Sequence, residues 1–509
     1  MKKQLNRREF LKMAGLFSLS LSIPQPLSTS ILSTPGDTVK NILIVVFDAL
    51  SAYNMSLYGY PRKTMPNLDR LARRAVVYNN HFAGGTYTTP GAASLLTGTL
   101  PWTHRAFNLN ETTEKSFVQK NIFHILPNHY RMAYTHNPLA DTFLRQFQKD
   151  IPGYFPLEKL YLIGNRFLNF FFLNDPDTAH LAWSRMMKKK EEGHAYSLFL
   201  SFLYDKYIKY KTERIQADFP RGLPFINVDN YYKLEDAIDW LENRITNIQQ
   251  PFLGYFHFLP PHRPYNTRKD CYRKFAMDNY RPDKKPEHIF TMHKSQYYLN
   301  IQRNQYDEYI LYVDEEFNRL YEYMDKLGLL ENTWLIFTSD HGEMFERGIF
   351  QHGTPALHQP VVRIPLVIFE PGRTTREDIY APTSAIDVLP TLTHWFNQPI
   401  PAWCEGSVLP PYSPIKPNPN RDLFTVEPRY NGKYSPFELA SVMLVKDQYK
   451  LSYYYGYKEL KGIGDLIELY DIQNDPEEMI NLYPSKKDIG DELLNIVKAK
   501  LVEVNAPYA

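Results

Sequence analysis

Two short stretches of this chain place polar side chains where metal-assisted chemistry needs them. Asp48 directly follows the apolar run 42–47, and Asp340 and His341 follow a second apolar run, 333–338. Such runs predict buried strands of a parallel sheet, and ligands of open α/β sheets bind beyond the carboxyl ends of the strands. An aspartate after a strand is more often a turn former or a helix cap, so neither carboxylate alone is informative. Together with the imidazole and a nearby hydroxyl, they predict one site for a divalent cation.

The hydroxyl is expected from Thr88. Pro90 predicts the first turn of a helix, where its missing N–H is harmless. Thr88 and Thr89 then lie at the N-terminus of that helix, where unpaired N–H groups and the helix dipole favour an anionic ligand. Coordination to a divalent cation lowers the pKa of an alcohol, which is otherwise a poor nucleophile near neutral pH. We therefore expect Thr88 to be both the fourth metal ligand and the nucleophile, and Thr89 to contact the substrate.

The elements that must position these residues alternate between strand and helix. A helix is predicted over 66–75, an amphipathic helix over 306–327 and a strand over 364–369. Such alternation predicts an α/β domain with a mostly parallel, doubly wound sheet. Beyond a proline-rich linker at 410–419, a small antiparallel sheet with one covering helix is predicted. Its strands are expected at 441–445, 449–455 and 466–470, and its helix at 488–504.

The segment 150–245 differs from its surroundings because it is rich in aromatic and apolar residues. We predict a helical insertion with its own small core. A lid over an amphiphilic substrate, or a surface that touches a membrane, is the alternative. The predicted organisation is a catalytic domain over 40–409 that contains this insertion, followed by a C-terminal α+β subdomain over 420–509.

Residues 1–35 are predicted to be a targeting segment rather than part of the fold. The stretch 6–12 resembles a twin-arginine export signal, and the apolar region 13–23 that follows is too short to span a bilayer comfortably. A disordered basic tail is the alternative. We expect export by the twin-arginine machinery to the periplasm or the cell exterior, and cleavage stays open because no clear Ala-x-Ala site follows.

The composition of the chain argues against some classes of partner and framework. The net charge of +2 gives no polyelectrolyte signal, so nucleic acid is not expected as a partner. Two cysteines, Cys271 and Cys404, cannot form a disulfide framework, and they are either one bridge or two free thiols.

A series of motifs, in order along residues 40–485, resembles the sulfatase branch of the alkaline phosphatase superfamily. The matching segments are 47–50, 57–60, 64–69, 94–98, 261–265, 339–343, 351–353, 363–366 and 469–478. The resemblance implies an alkaline-phosphatase-like three-layer α/β/α sandwich. It also implies an ester-cleaving enzyme with one divalent metal ion, and the ligand types leave Ca, Mg, Mn and Zn open.

Two positions depart from the sulfatase signature, which reads Cys or Ser, any residue, Pro, any residue, Arg. Thr88 occupies the first position and Ala92 the last. The methyl group on its Cβ prevents threonine from becoming the formylglycine aldehyde of sulfatases. A threonine here is similar to the phosphoethanolamine and phosphoglycerol transferases of the superfamily, which implies a phospho-threonine intermediate. Amide groups of residues 90–92 would then partly replace the missing arginine.

The same resemblance ranks the histidines. His262 lies in a Pro-His-x-Pro-Tyr segment and His352 in a His-Gly-Thr-Pro segment. Both are implied to be catalytic and substrate-binding groups that bind charge or protonate the leaving oxygen. His257, on a predicted strand over 252–258, is a further substrate-binding candidate, although a packed core histidine is the favoured interpretation.

Other polar residues are interpreted without a catalytic role. His104 and His358 are expected on the surface or in loops. Asp307 and Asp314, on the long helix, are expected to be solvated or structural, and Asp387 is expected to cap a helix.

The leading functional prediction is an exported, metal-dependent hydrolase or transferase that acts on phosphate esters or phosphonates through Thr88. One alternative is a sulfatase that works without formylglycine. The other is a catalytically silent protein that keeps the fold and a structural metal. The substrate is expected to be a small molecule, a lipid head group or a glycan, and membrane contact is left open.

Overall fold

The computed structural model describes residues 39–162, 213–227, 230–414 and 421–509, together with residues 203, 206, 207 and 210. The predicted export signal, the centre of the predicted insertion and the second half of the predicted linker lie outside the described residues. Among the helices that the structure describes, none has the length and apolar character needed to cross a membrane.

Strands and helices alternate along the described residues. The strands are β1 (Asn41–Phe47), β2 (Val76–Tyr78), β3 (His81–Phe82), β4 (Tyr130–Thr135), β5 (Gly153–Tyr154), β6 (Phe225–Asn227), β7 (Asn230–Tyr231), β8 (Phe252–Phe258), β9 (Thr333–Thr338), β10 (Phe345–Glu346), β11 (Ile349–Phe350), β12 (Leu366–Phe369), β13 (Glu377–Ile379), β14 (Thr383–Ser384), β15 (Leu423–Glu427), β16 (Ala440–Lys446), β17 (Tyr449–Tyr455) and β18 (Leu466–Asp471). The α-helices are α1 (Pro66–Leu71), α2 (Thr88–Thr97), α3 (Pro101–His104), α4 (Pro138–Gln146), α5 (Leu234–Thr246), α6 (Gln296–Lys326), α7 (Gln359–Val362), α8 (Val388–Trp395) and α9 (Lys487–Asn505).

An eight-stranded sheet forms the centre of the fold, in the spatial order β13-β2-β12-β9-β1-β8-β4-β5. Neighbouring strands run parallel except β12, which is antiparallel to both β9 and β2. The predicted mostly parallel sheet is therefore confirmed. Because β1, β8 and β9 are adjacent and parallel, their carboxyl ends lie side by side.

The sequence of β1 shows why the sheet is covered on both faces. All seven of its residues are buried, and side chains alternate between faces along a strand. Positions 42, 44 and 46 belong to one hydrophobic core, and positions 43, 45 and 47 belong to the other. Helices α2, α4 and α8 contribute to the first core, and α1, α5 and α6 to the second. The chain thus forms the three-layer α/β/α sandwich that the resemblance implied.

The long helix α6 begins ten residues before its predicted start. Ser295 caps it, since its hydroxyl accepts a hydrogen bond from the N–H of Tyr298. Residues 296–305 of this helix are mostly half-buried rather than buried, so their sequence lacks the regular apolar spacing that predicts an amphipathic helix. The helix ends at Lys326, and Gly328 follows in the left-handed conformation (φ 68°).

The small C-terminal sheet is confirmed: its three predicted strands and its helix have bounds within one residue of those predicted, and a fourth strand, β15, was not predicted. It is antiparallel in the order β15-β16-β17-β18, and α9 covers it. Leu493 and Val497 of α9 share a hydrophobic cluster with Leu100 and Trp102, which come from the segment after α2. This packing attaches the C-terminal sheet to the part of the chain that follows Thr88.

Three smaller expectations need adjustment. The predicted strand at 364–369 begins only at Leu366, because the N–H of Ile364 bonds to the His81 carbonyl outside the sheet. The predicted helix 66–75 ends at Leu71 and continues as a 3-10 turn over 72–74. The described ends of the predicted insertion 150–245 belong to the main fold rather than to a separate core, because β5 pairs with β4 and α5 packs in a core of the central sheet. Of the two alternatives left open for the cysteines, the structure has both as free thiols.

Candidate active site

Three neighbouring strands bring the predicted acidic residues together. Asp48 directly follows β1, Asp340 lies two residues after β9, and His257 is near the end of β8. All three are fully buried, and each has a ligand atom within 4.8 Å of the others. His257 Nε2 lies 3.4 Å from Asp48 Oδ2 and 3.7 Å from Asp340 Oδ2. The parallel register therefore surrounds one point with two carboxylates and an imidazole.

Each carboxylate has one oxygen held by hydrogen bonds and one that faces the centre of the site. Asp340 Oδ1 accepts from the backbone N–H groups of His341 (3.0 Å) and Ala49 (3.3 Å). Asp48 Oδ2 accepts from Asn137 Nδ2. The other oxygens, Asp48 Oδ1 and Asp340 Oδ2, have no hydrogen-bond partner among the described residues. Two bare carboxylate oxygens in a buried site are unfavourable without a cation.

His341 adds a nitrogen lone pair to the same point. Its Nδ1 lies 2.9 Å from the Gly342 carbonyl, which can only accept, so Nδ1 carries the proton of the neutral ring. Nε2 then presents its lone pair 3.4 Å from Asp48 Oδ1 and 3.5 Å from Asp340 Oδ2. Burial lowers the pKa of His341, but the charges of Asp340 and Asp48 outweigh it and raise this pKa to about 9. The site thus attracts a positive charge.

The spacing of these atoms fits a divalent cation. The separations of 3.4–3.7 Å among the carboxylate oxygens and imidazole nitrogens exceed ordinary hydrogen-bond lengths. Adjacent ligands of one cation lie about 3–3.6 Å apart when each metal–ligand distance is about 2.0–2.2 Å. Asp48, Asp340 and His341 could therefore hold the ion, and His257 borders the same point.

Thr88 lies at this centre, as the sequence predicts. It is the first residue of α2, and its Oγ1 lies 3.3 Å from His341 Nε2 and 3.1 Å from Asn137 Nδ2. Thr89 is also buried, and its hydroxyl has no hydrogen-bond partner in the described part of the chain. The Thr88 hydroxyl beside the candidate metal ligands and the unpartnered Thr89 hydroxyl next to it are both compatible with the predicted roles.

The amide donors at the start of α2 differ from those expected. The helix begins at Thr88, so Pro90, which has no N–H, occupies its third position. The N–H of Gly91 already donates to the Tyr87 carbonyl at 3.0 Å. The unpaired amides are therefore those of Thr88 and Thr89 rather than those of residues 90–92.

Close contact between α2 and the Asp340 segment depends on Gly91. A Cβ atom added at this position would lie 2.3 Å from the Asp340 carbonyl oxygen. Only glycine lets the helix approach the metal-binding loop this closely. On the other side of the site, Ala49 has φ 59°, and the hydroxyl of Tyr306 donates to its carbonyl at 2.5 Å. These contacts fix the positions of Asp48 and Thr88.

His262 and His352 lie at the mouth of the site. Their ring centroids are 4.8 Å apart, and the His352 ring is 4.4 Å from that of His341. His352 Nδ1 lies 3.1 Å from Glu343 Oε1, and His262 Nδ1 donates to the Arg263 carbonyl at 2.6 Å. Burial lowers the pKa of both histidines, that of His352 to about 3.

A cavity of about 350 Å³ opens over Thr88. Among the described residues, its lining includes His262, His352, Arg263 and Arg429, and it includes no carboxylate. Arg429, which follows β15, lies with its guanidinium 4.1 Å above the Tyr87 ring. Its Nε pairs with Glu427 Oε1 at 3.4 Å, whereas one terminal nitrogen has no partner within the described ranges. The apolar part of the lining is formed by Leu109, Pro138, Leu139, Ile226 and Leu259.

Three interpretations of histidines need correction. His257 is buried, as a core histidine would be, but its Nε2 faces Asp48 and Asp340 rather than apolar side chains. His104 is fully buried at the end of α3, and His358 lies in a loop, as one of the two expectations had it, but is fully buried there. His104 contacts the Ser94 hydroxyl at 3.2 Å, and His358 Nδ1 lies 3.1 Å from Glu478 Oε2.

The aspartates assigned to structure have structural partners. Asp307 forms a buried ion pair with Arg62 at 2.7 Å. Asp314 accepts hydrogen bonds from the N–H groups of Asn67 and Leu68 at the start of α1. Asp387 forms a capping box with Ser384, as a helix cap requires.

Three residues at the site were not predicted: Asn137, Glu343 and Arg429. Asn137 is the N-cap of α4, and an asparagine followed by proline is a sequence signal for the start of a helix. Glu343 lies two residues beyond His341 inside the matched motif 339–343. No local pattern indicates Arg429, which reaches the cavity only through the packing of the C-terminal sheet.

Comparisons with known proteins agree with this architecture. The family model described as Sulfatase matches residues 40–398, and the model described as N-sulphoglucosamine sulphohydrolase, C-terminal, matches residues 346–506. An ulvan-active sulfatase of Formosa agariphila is 27% identical over 73% of this chain and 64% of its own length. The multifunctional alkaline phosphatase superfamily protein PehA of Trinickia caryophylli is 23% identical over 87% of this chain and 91% of its own.

Solved structures show the same fold. The phosphonate monoester hydrolase of Agrobacterium radiobacter superposes with a TM-score of 0.67 at 18% sequence identity, covering 92% of this chain and 96% of that protein. The Sulfatase model covers well over half of the sequence, including every residue proposed to bind the metal. The chain therefore belongs to the sulfatase family, within the alkaline phosphatase superfamily.

Proposed function

We propose that this protein is a metal-dependent hydrolase or transferase that acts on phosphate esters or phosphonates with Thr88 as its nucleophile. The observation that carries the proposal is the position of Thr88 Oγ1, 3.3 Å from His341 Nε2 and beside the bare oxygens of Asp48 and Asp340. A divalent cation bound there by Asp48, Asp340 and His341 would lower the pKa of the Thr88 hydroxyl.

The residues of the chain itself perform the remaining tasks. Asn137 Nδ2 contacts both Thr88 and Asp48, so it orients the nucleophile relative to the carboxylate. The amides of Thr88 and Thr89 point where charge would develop on the transferred group. His262 holds its Nδ1 proton against the Arg263 carbonyl, so the lone pair of Nε2 can accept a proton, and Nε2 can protonate a leaving oxygen only when the ring carries both protons. His352, paired with Glu343, is the second such candidate.

Phosphoryl transfer is favoured over sulfuryl transfer by two residues. Thr88 carries a methyl group on Cβ and cannot be oxidised to an aldehyde, and Ala92 stands where the sulfatase signature has arginine. Relatives of both kinds support the class: one is named a sulfatase, and one structural neighbour is titled a phosphonate monoester hydrolase. A sulfatase that works without formylglycine is the second candidate, supported by the names of several relatives.

The cavity indicates the kind of substrate. Arg263, Arg429 and the two histidines favour an anionic group, while the apolar part of the lining, which contains Leu139 and Ile226, favours an apolar or aromatic portion. We propose a small ester, a lipid head group or a glycan. The location proposed is outside the cytoplasm, on the strength of the twin-arginine-like motif.

Turnover of aryl phosphate monoesters, diesters, phosphonates and sulfates tests the proposal. We expect hydrolysis of phosphorus substrates that a chelator abolishes and added divalent metal restores. Thr88→Ala should abolish turnover, and Thr88→Ser, which keeps the alcohol, should retain part of it. Intact mass after rapid acid quench should show a phosphoryl adduct in the wild type and none in Thr88→Ala. Sulfate turnover without phosphorus turnover would refute the phosphoryl assignment. A folded, metal-loaded protein that turns over none of these substrates would favour the silent alternative.

A further inference from the structure

A second cluster of buried side chains with metal-binding groups lies outside the active site. It consists of His288, in the segment before α6, His358, directly before α7, and Glu468 on β18. One ligand atom of each lies within 4.8 Å of the others. The side chains of His288 and His358 are 4% and 0% exposed. The proposed catalytic reaction uses none of the three.

The two imidazoles present nitrogens that lack a partner. Neither His288 Nε2 nor His358 Nε2 has a hydrogen-bond partner in the portion of the chain that the structure describes. His288 Nε2 lies 3.4 Å from Glu468 Oε1, and His358 Nε2 lies 4.0 Å from Glu468 Oε2. The first distance is long for a hydrogen bond but equals the spacing of two ligands of a tetrahedral zinc ion, about 3.3–3.5 Å.

Two of the three side chains are already held as metal ligands usually are. His358 Nδ1 donates to Glu478 Oε2 at 3.1 Å, which leaves the lone pair on Nε2. The Tyr454 hydroxyl donates to Glu468 Oε2 at 3.0 Å. Burial lowers the pKa of His358 to about 4, whereas for Glu468 the two histidines outweigh burial and lower the pKa to about 2. The imidazole is thus neutral and the carboxylate ionised near neutral pH.

One contact opposes metal binding at His288. The N–H of Phe290 lies 3.2 Å from His288 Nδ1 and favours the tautomer with its proton on Nε2. Coordination through Nε2 requires the proton to move to Nδ1 and this single backbone hydrogen bond to break. Substitutions of His358 and Glu468 are therefore sharper tests than substitutions of His288.

We propose that His288, His358 and Glu468 bind a zinc ion through three protein ligands, with the fourth position left to water, in addition to the one metal ion predicted from the sequence. Two imidazoles and one carboxylate form a common ligand set for Zn²⁺. The three residues come from segments far apart in the chain, and Glu468 belongs to the C-terminal sheet. The ion would cross-link this sheet to the catalytic part of the molecule.

Zinc content of the full-length protein tests the proposal. Each protein is incubated with excess zinc and separated from free metal, and the number of zinc ions per chain is measured by inductively coupled plasma mass spectrometry. We expect two zinc ions per chain in the wild type, one in Asp340→Asn, one in His358→Gln or Glu468→Gln, and none when Asp340→Asn is combined with His358→Gln. His81→Gln is the matched control, since His81 is equally buried with an unpartnered Nε2 among the described residues but belongs to no ligand cluster there. It should keep two.

The midpoint of thermal unfolding gives a second measurement, which does not require substitution of His288, His358 or Glu468. Zinc should raise the midpoint of Asp340→Asn, and a chelator should reverse the change. The proposal would be overturned if Asp340→Asn bound no zinc and its unfolding midpoint did not change when zinc was added. It would also be overturned if His358→Gln and Glu468→Gln each bound as much zinc as the wild type. Neither result bears on turnover through Thr88.

Discussion

The two ends of the Asn137 side chain are expected to perform separable tasks. Its Oδ1 accepts hydrogen bonds from the N–H groups of Leu139 (2.7 Å) and Ala140 (3.4 Å) and so caps α4. Its Nδ2 donates to Asp48 and, at 3.1 Å, to Thr88 Oγ1. One end therefore contributes to helix stability and the other to the geometry of the nucleophile.

Two substitutions separate these tasks. Asn137→Ser keeps a side-chain oxygen suited to an N-cap but has no amide group to reach Thr88. Asn137→Ala removes both. We expect both variants to be less stable than the wild type because they lose the Nδ2 hydrogen bonds, and the alanine variant to be less stable than the serine variant by about 1 kcal/mol because it also loses the cap. Urea denaturation followed by circular dichroism measures both values.

Both variants should lose the same amount of activity. A hydrogen bond to a charged group contributes about 1.5–3 kcal/mol, which corresponds to a fall of roughly 10- to 150-fold in kcat/KM. The assay is hydrolysis of the best aryl phosphate or phosphonate substrate, with metal content measured alongside to separate misorientation from metal loss. A serine variant with wild-type kcat/KM would refute an orienting role for Nδ2. An alanine variant as stable as the wild type would refute the cap.

Three further predictions concern stability. Gly91→Ala should lower the unfolding free energy by about 1–3 kcal/mol and weaken metal binding, because the new Cβ would lie 2.3 Å from the Asp340 carbonyl oxygen. Urea denaturation measures the change in stability, and the bound metal per chain measures the change in metal binding. Arg62→Met should lower the unfolding free energy by about 3–5 kcal/mol, since it leaves Asp307 buried without its cation, and adding Asp307→Asn should recover part of the loss in the same assay. Burial raises the pKa of Asp314 to about 7, so the native state keeps its proton to higher pH than the unfolded chain. The wild type should therefore lose stability relative to Asp314→Asn as the pH rises from about 4 to about 7 and no further above that; parallel pH profiles would contradict this.

Local patterns sufficed for most of the architecture. The runs 42–47 and 334–337 are apolar throughout because both faces of the central sheet are covered, and this is visible without any partner strand. Three of the four C-terminal strands were predicted with bounds within one residue, whereas β15 was not predicted. The start of α6 was missed because its first turns are polar and partly exposed, so the apolar period begins only where the helix reaches the core.

The site was predictable only in part. Asp48, Thr88, Asp340 and His341 could be selected because each ends a strand or begins a helix, and parallel strands bring such ends together. The groups that a side chain contacts within the fold could not be predicted in the same way. His257 lies in an apolar strand, whose sequence predicts a core position. Its contact with Asp48 depends on the register between β8 and β1, which places its Nε2 3.4 Å from Asp48 Oδ2.

The sequence by itself determined the layered α/β fold, the strand-end carboxylates and the alcohol between them, since these depend on short-range periodicity and residue type. The tertiary structure decided which groups complete the site: Asn137 contacts Asp48 across 89 residues, and Arg429 enters the cavity from beyond β15. Such contacts depend on how separate layers pack against each other. No local pattern encodes that packing, because it is set by the fit of surfaces that are distant along the chain.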